Sequence, residues 1–234
     1  MMTETKMRAL LACAWLTAGC LPGMVSHARA LGGQNLLSNG DFRNPDAPLA
    51  GWMYDYRWTE HKRYSDNYKH VKVIPNQGTK RNVLEFTIPQ HIAVDLGYGV
   101  KVDSDPVPYE AGARYKLSAS AKTTGPNCRI YIAGYRWKPG VKPHDKPTLK
   151  DLRRTFKQGA GEMLYFKGKR DGPLSNPTKN WSRGSSSGFP PKKLSKEGQK
   201  HLKKSKFLVV HIIGIMGNGG ELYVDDVELK KISR

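Results

Sequence analysis

Residues 113–132 constrain the fold more than any other stretch of the chain. Ala113, Tyr115, Leu117, Ala119 and Ala121 alternate with Arg114, Lys116, Ser118, Ser120 and Lys122. Successive side chains on an extended strand point to opposite faces, so this pattern describes an antiparallel strand with one apolar and one wetted face. Thr124-Gly125-Pro126-Asn127 interrupts it as a compact turn. Cys128, Ile130 and Ile132 then alternate with Arg129, Tyr131 and Ala133, which predicts a second strand folding back on the first.

Val71–Ile74, Asn82–Ile88 and Ile92–Leu96 are expected as further short strands. Phe207–Ile215 is nearly continuous in apolar residues and reads as a central strand covered on both sides. Asn218-Gly219-Gly220 then predicts a hairpin into the last strand. There Leu222 and Val224 share one parity, while Val227 and Leu229 share the other. A regular strand cannot bury all four, so an extra residue is expected at Asp225-Asp226, as a β-bulge. Many short strands and no long amphipathic helix imply an all-β sandwich.

Residues 138–206 are broken by Pro139, Pro143, Pro147, Pro173, Pro177, Pro190 and Pro191. They read as long basic loops on the sandwich rather than as a second domain. Leu149–Lys157 is expected as a short helix, Met163–Lys167 as an extra strand, and Trp181–Phe189 as the strand before the last hairpin.

Two motifs at the ends carry a resemblance. Asn35-Leu36-Leu37-Ser38-Asn39-Gly40-Asp41-Phe42 is followed by Gly51-Trp52, and Gly219-Gly220-Glu221-Leu222-Tyr223-Val224-Asp225-Asp226-Val227-Glu228-Leu229 closes the chain. Together they resemble the first and last strands of the galactose-binding-like β-jelly-roll family, which includes many carbohydrate-binding modules of secreted polysaccharide-degrading enzymes. The resemblance implies a jelly-roll β-sandwich, a role beside a separate glycan-degrading enzyme, and a sugar site either on a sheet face or at the loop tips. It also implies a structural Ca²⁺ held by Asp41, Asp225 and Asp226. Arg43 stands where the family often has Glu, which removes one ligand and adds a positive charge.

Lys6 and Arg8, the apolar run Ala9–Val25 and the small pair in Ala28-Arg29-Ala30 predict an export signal over residues 1–30, with one domain over 31–234. The run is too short and too interrupted by Pro22-Gly23 for a membrane span. An alternative is lipid attachment at Cys20, after Thr17-Ala18-Gly19. The expected location is therefore the periplasm, the cell surface or the exterior. Cleavage would leave Cys128 without a partner, as a small core residue in a domain that folds without a disulfide.

The chain carries 39 Lys and Arg against 20 Asp and Glu, a formal charge of +19. Only Lys6, Arg8, Arg29 and Glu4 belong to the signal, so nearly all of this charge stays with the domain. Such a field favours an anionic glycan or a cell-envelope polymer. Lys192, Lys196, Lys200 and Lys203 would form one basic stripe if helical. A solvated charge run is the simpler reading, and specific nucleic-acid recognition is not expected of an exported chain.

Trp52, Tyr54, Tyr56 and Trp58 alternate, so on a strand they would share a face. Aromatic rings stack on the C–H faces of sugars while their polar edges bind hydroxyls. Trp52 reads as core. Tyr56 and Trp58 are candidate stacking residues, with Arg57 supplying charge. Tyr135 and Trp137, with Arg136 between them, form a second candidate set at a strand end, and Tyr98 and Trp181 are weaker ones.

Nothing in the sequence announces catalysis. Gly184-Ser185-Ser186-Ser187-Gly188 matches a nucleophile-elbow spacing, but Phe189-Pro190-Pro191 forbids the helix that must follow. Asp103 and Asp105 are too close in sequence to form a glycosidase acid/base pair by themselves. The expected function is a non-catalytic, exported carbohydrate-binding module, with a structural or interaction domain of the envelope as the alternative.

Overall fold

Residues 33–54, 66–76, 81–93, 99–155, 164–165, 179–186, 188–190, 194 and 196–233 are described by a computed structural model. They fall in one compact unit, Leu31–Arg234. The strands are β1 (Trp52–Tyr54), β2 (Val71–Pro75), β3 (Asn82–Ile88), β4 (Val100–Ser104), β5 (Val107–Pro108) and β6 (Arg114–Thr123). They continue as β7 (Pro126–Trp137), β8 (Leu152–Arg154), β9 (Leu164–Tyr165), β10 (Ser182–Ser185), β11 (Phe207–Gly217) and β12 (Gly220–Ser233). Two helices are present among the described residues, α1 (Gln90–Ala93) and α2 (Lys196–Lys204), besides a 3₁₀ turn at Asn67–His70.

All pairings between the strands are antiparallel. A seven-stranded sheet runs β1-β4-β11-β7-β8, with β5 on β11 and β9 on β7. A five-stranded sheet runs β10-β6-β12-β3-β2. The core between them follows the period-two pattern. Leu84, Phe86, Leu117, Ala119, Leu222 and Val224 of the smaller sheet meet Val100, Val102, Ile130, Ile132, Leu208, Val210 and Ile212 of the larger one, all buried. Cys128 lies in this core, and burial pushes its thiol up to about 12, so it is an unreactive packing residue. The result is a jelly-roll β-sandwich.

The bulge in β12 is where the parity break put it. Asp225 pairs with Ser120 but Glu228 pairs with Ser118, so β12 carries two residues where β6 carries one, a single extra residue, and Asp226 takes φ 47°. Val227 and Leu229 are thereby returned to the core, fully buried. Each such aliphatic side chain contributes about 1.5–3 kcal/mol.

The end motifs are explained by contacts with each other. The Asn35 side chain donates from Nδ2 to the Val227 carbonyl (3.0 Å), and its Oδ1 accepts the Leu229 N–H (2.9 Å). Gly40 passes so close to β12 that a Cβ there would lie 2.1 Å from the Val227 oxygen. Trp52 donates its indole N–H to the Asn39 carbonyl (3.1 Å) and packs on Phe42, ring centres 5.4 Å apart.

Two expected elements differ. The strand expected at Ile92–Leu96 is absent where described, because Ile92 and Ala93 belong to the helical turn α1 after Pro89, and residues 94–98 lie outside the described residues. The strand instead starts at Val100. The helix expected at Leu149–Lys157 is the short strand β8, paired to β7 through Leu152↔Trp137 and Arg154↔Tyr135. Leu149 and Leu152 are both buried on the sheet, so the end of this loop is held by packing and pairing rather than by helix propensity.

Candidate functional site

The core-facing residues of β4, β7 and β11 leave their alternate residues on the outer face of the seven-stranded sheet. That face is not an ordinary wetted surface. Tyr131, Ala133, Tyr135, Val209, Leu149 and Leu152 form a second buried cluster there, flanked by Met53, Trp137, Phe207 and Ile213. The segment from Lys138 to Asp151 closes over it. Its ends are joined by the Lys138 N–H donating to the Asp151 carbonyl (2.9 Å). The Asp151 carboxylate accepts the Thr148 N–H (2.8 Å) and hydroxyl (2.7 Å), and these bonds hold it below the usual carboxylate range.

Inside this cluster is a chain of polar groups. His211 and Asp103 face each other across β11 and β4, and Tyr131 and Tyr135 lie on β7. His211 Nδ1 is 2.5 Å from Asp103 Oδ1, and Lys101 Nζ is 2.9 Å from the same oxygen. The side chains of Lys101 and Asp103 are each 1% exposed and that of His211 is 0% exposed. Burial is the largest influence on His211 and drives its pKa down to about 3. Asp103 opposes that shift, and Lys101 and Arg154 add to it. The imidazole is therefore neutral near pH 7.

A neutral imidazole that donates Nδ1–H to a carboxylate has Nε2 left as an acceptor. Tyr135 supplies the donor, Oη to Nε2 at 3.2 Å. Its oxygen in turn accepts from Arg154 Nε (2.8 Å), while Arg154 Nη2 donates to Tyr131 Oη (3.1 Å). The His211 ring stacks on Tyr131, centres 4.6 Å apart at 26°. One guanidinium thus ties two phenols, and the position of each phenol is fixed from behind by His211. Beside this chain lies a cavity of about 240 Å³, lined by Asp103, Tyr135, Lys138, Leu149, Leu152, Arg153 and Arg154.

Of the candidate residues, Tyr56, Arg57 and Trp58 lie outside the described residues, as does Tyr98. Tyr135 lines the cavity but is only 4% exposed, its hydroxyl engaged as above. Trp137 shares its face and is partly exposed, meeting Phe207 edge-on (5.3 Å, 89°) and His144 (5.0 Å). Arg136 has the opposite parity on β7, so it does not share a surface with the two rings that flank it. Trp181 is on the outer side of the other sheet, 36% exposed, with Lys122 Nζ 5.4 Å from its ring.

Asp41 and Asp226 come together at the bulge, with Arg43 bridging them at 3.6 and 3.5 Å. Arg81 and Arg183 also approach Asp226, at 3.7 and 3.8 Å. Asp225 is buried beside it, and burial pushes its carboxyl up to about 6. Among the described residues no three His, Cys, Asp or Glu side chains gather where they could hold a metal ion. The donor set as placed suits guanidinium groups rather than a hard cation, which would need several converging oxygens.

Of the buried polar chain, His211 and Lys101 are not singled out by the sequence, and Asp103 is weighed there only as a catalytic acid. His211 sits in an apolar run, and Lys101 and Asp103 alternate with Val100 and Val102 in β4. The signal available was a charge at every second position of a strand whose other positions are core.

The chain matches no protein-family profile and no curated protein. Its structure is similar to those of several carbohydrate-binding modules. The xylan-binding domain CBM22-1 of Paenibacillus barcinonensis Xyn10C is 11% identical with a TM-score of 0.46, the match covering 88% of this chain and 99% of that one. TmCBM61, in complex with β-1,4-galactotriose, is 11% identical with a TM-score of 0.43, covering 85% and 99%. The arabinose-bound MgGH51 α-L-arabinofuranosidase is 14% identical with a TM-score of 0.46, covering 86% of this chain but 27% of the enzyme, so the chain spans about a quarter of its length. The fold assignment rests on the two sheets themselves. No helix among the described residues is long and apolar enough to cross a membrane.

Proposed function

We propose that the protein is a non-catalytic, exported carbohydrate-binding protein whose ligand is an anionic glycan or cell-envelope polymer. The observation that carries this reading is Arg154, held against Tyr131 and Tyr135 at the wall of the cavity. A guanidinium with a fixed orientation suits a carboxylate or sulfate, and its planar fork gives directional contacts that an ammonium does not. Lys138 and Arg153 line the same cavity and add to its positive field. Trp137, which precedes Lys138 and pairs with Leu152 of the lining, is partly exposed and has surface left for a sugar ring. Tyr56, Arg57 and Trp58 remain candidates for an extension of the site.

The non-catalytic reading is supported by the single carboxylate in the described lining. Asp103 is engaged by Lys101 and His211, whereas glycoside hydrolysis ordinarily needs two carboxyl groups flanking one bond. Export is supported by the signal-like residues 1–30. A second reading, a structural or interaction domain with no sugar site, is favoured by the depth at which Tyr131 and Tyr135 are buried.

A glycan array probed at two salt concentrations separates these readings. Selective binding that persists in added salt, and falls about 100-fold in Arg154→Ala and about tenfold in Trp137→Ala, supports the sugar site. Binding that is erased by salt and indifferent to both changes overturns it in favour of the interaction domain. Unchanged thermal midpoints in the variants exclude unfolding as the cause.

A further inference from the structure

We propose that helix α2 is a cationic track beside the cavity, so that the ligand is an internal stretch of a linear anionic polysaccharide rather than a single acidic sugar. This rests on the sugar-site reading above and extends it outward along one named element.

The helix has two faces. Gly198 is buried and Leu202 packs on the main core, so positions 198 and 202 define the inward side. Lys196, Lys200 and Lys203 follow at intervals of four and three on the opposite side, and Lys204 adjoins them. All four are exposed. The only acid in the helix, Glu197, is 3.2 Å from His201 Nε2. At about 1.5 Å per residue the nine residues extend about 13 Å, longer than one sugar unit needs.

The helix ends at the site. Ser205, directly after it, shares a buried 2.7 Å hydrogen bond with Thr155, the neighbour of Arg154. The Lys206 N–H donates to the Tyr135 carbonyl (2.8 Å). The backbone directly after Lys203 and Lys204 is therefore tied to the neighbour of Arg154 and to Tyr135, both residues of the cavity wall. The segment 138–154, which supplies most of the cavity lining, carries six Lys and Arg against two Asp. A flexible polyanion leaving the cavity along α2 would run from the cationic lining onto the lysines of the helix. Helix α2 has no Phe, Tyr or Trp, and its one imidazole, His201, is beside Glu197 and only partly exposed, so a polysaccharide fits this surface better than a single-stranded nucleic acid.

The test uses the whole protein and galacturonate chains of increasing length, titrated at two salt concentrations, with a DNA oligonucleotide of matched charge as a control. Lys200→Gln/Lys203→Gln/Lys204→Gln keeps good helix formers at exposed positions, so the fold should be unaffected. The parent is expected to gain about tenfold in affinity from short to long chains, and its salt dependence to steepen, because each added lysine–carboxylate contact on a densely charged chain releases counterions. The triple variant should keep short-chain binding but lose the gain with length and about two to three of the ions released. Arg154→Ala should weaken short and long chains alike. If the triple variant keeps the parent's length dependence, or if the parent binds the DNA as tightly as the long glycan, the track is refuted while the cavity reading stands. If the parent binds no short chain, the cavity reading fails and the track with it.

Discussion

His211 and Asp103 meet across two central strands, Nδ1 to Oδ1 at 2.5 Å, with Lys101 on the same carboxylate and no appreciable solvent at any of the three. Removing one member of such a group leaves a charge buried without compensation, which costs about 3–5 kcal/mol, whereas an apolar replacement of the pair can be nearly neutral. Asp103→Ala should therefore lower the urea-unfolding free energy by about that amount. Lys101→Met/Asp103→Leu should recover most of the loss. A single change costing under about 1 kcal/mol would show that the network is not closed to water.

The neutral state of His211 makes a prediction about acid. Its folded pKa, about 3, lies below the ordinary 6.5, so the unfolded chain binds the extra proton more readily. The contribution is fully present above pH 6.5 and is lost as pH falls from there toward 3. Relative to His211→Gln, the parent should lose stability across this window, by a few kcal/mol at most. Parallel curves for the two proteins would mean the imidazole gains a proton without unfolding.

Asp225 has the opposite sign. Its carboxyl titrates near 6 rather than at 3.8, so the folded state holds the proton more tightly and stability falls as pH rises through this interval. Asp225→Asn should stabilise at pH 7 by about 1 kcal/mol, a figure reduced for the screening by solvent and by Arg43 and Arg81. The advantage should vanish below the ordinary carboxylate pKa. Thermal melts at both extremes measure it, and an advantage that grows in acid would contradict the assignment.

Arg43 sits where an added cation would have to go. The thermal midpoint of the parent is expected to be the same in calcium and in a chelator. Arg43→Glu removes the guanidinium and adds a third carboxylate beside Asp41 and Asp226, so it should gain calcium-dependent stability, about 2.7 kcal/mol at a hundredfold excess over Kd. Calcium-dependent stabilisation of the parent would show that Arg43 yields its place to the ion.

The sandwich was legible because its signals are local. Alternation in β6 and β7 and the parity break at Asp225-Asp226 each follow from a period of two, and the end motifs each carry their own turn chemistry. Elements decided by long-range contacts were not. β8 forms because Leu149 and Leu152 fill a face that only β7 and β11 create, and no local pattern around them says so. The candidate site was legible in Tyr135 and Trp137, which are aromatic and stand before a break. His211, Lys101 and Asp103 acquire meaning only from the cross-strand register that brings them together, which the sequence does not contain.

The Asn35 clasp also has a mechanical side. Asn35 pairs antiparallel with Lys230, Leu36 bonds Leu229, and Gly33 lies against Lys231, so the partner number rises as the chain is followed back toward its start. Both ends thus leave the clasp from the same point. Tension applied between them would load its hydrogen bonds one after another, as in a zipper, rather than all together in shear. Pulled from both ends, the protein would open there first.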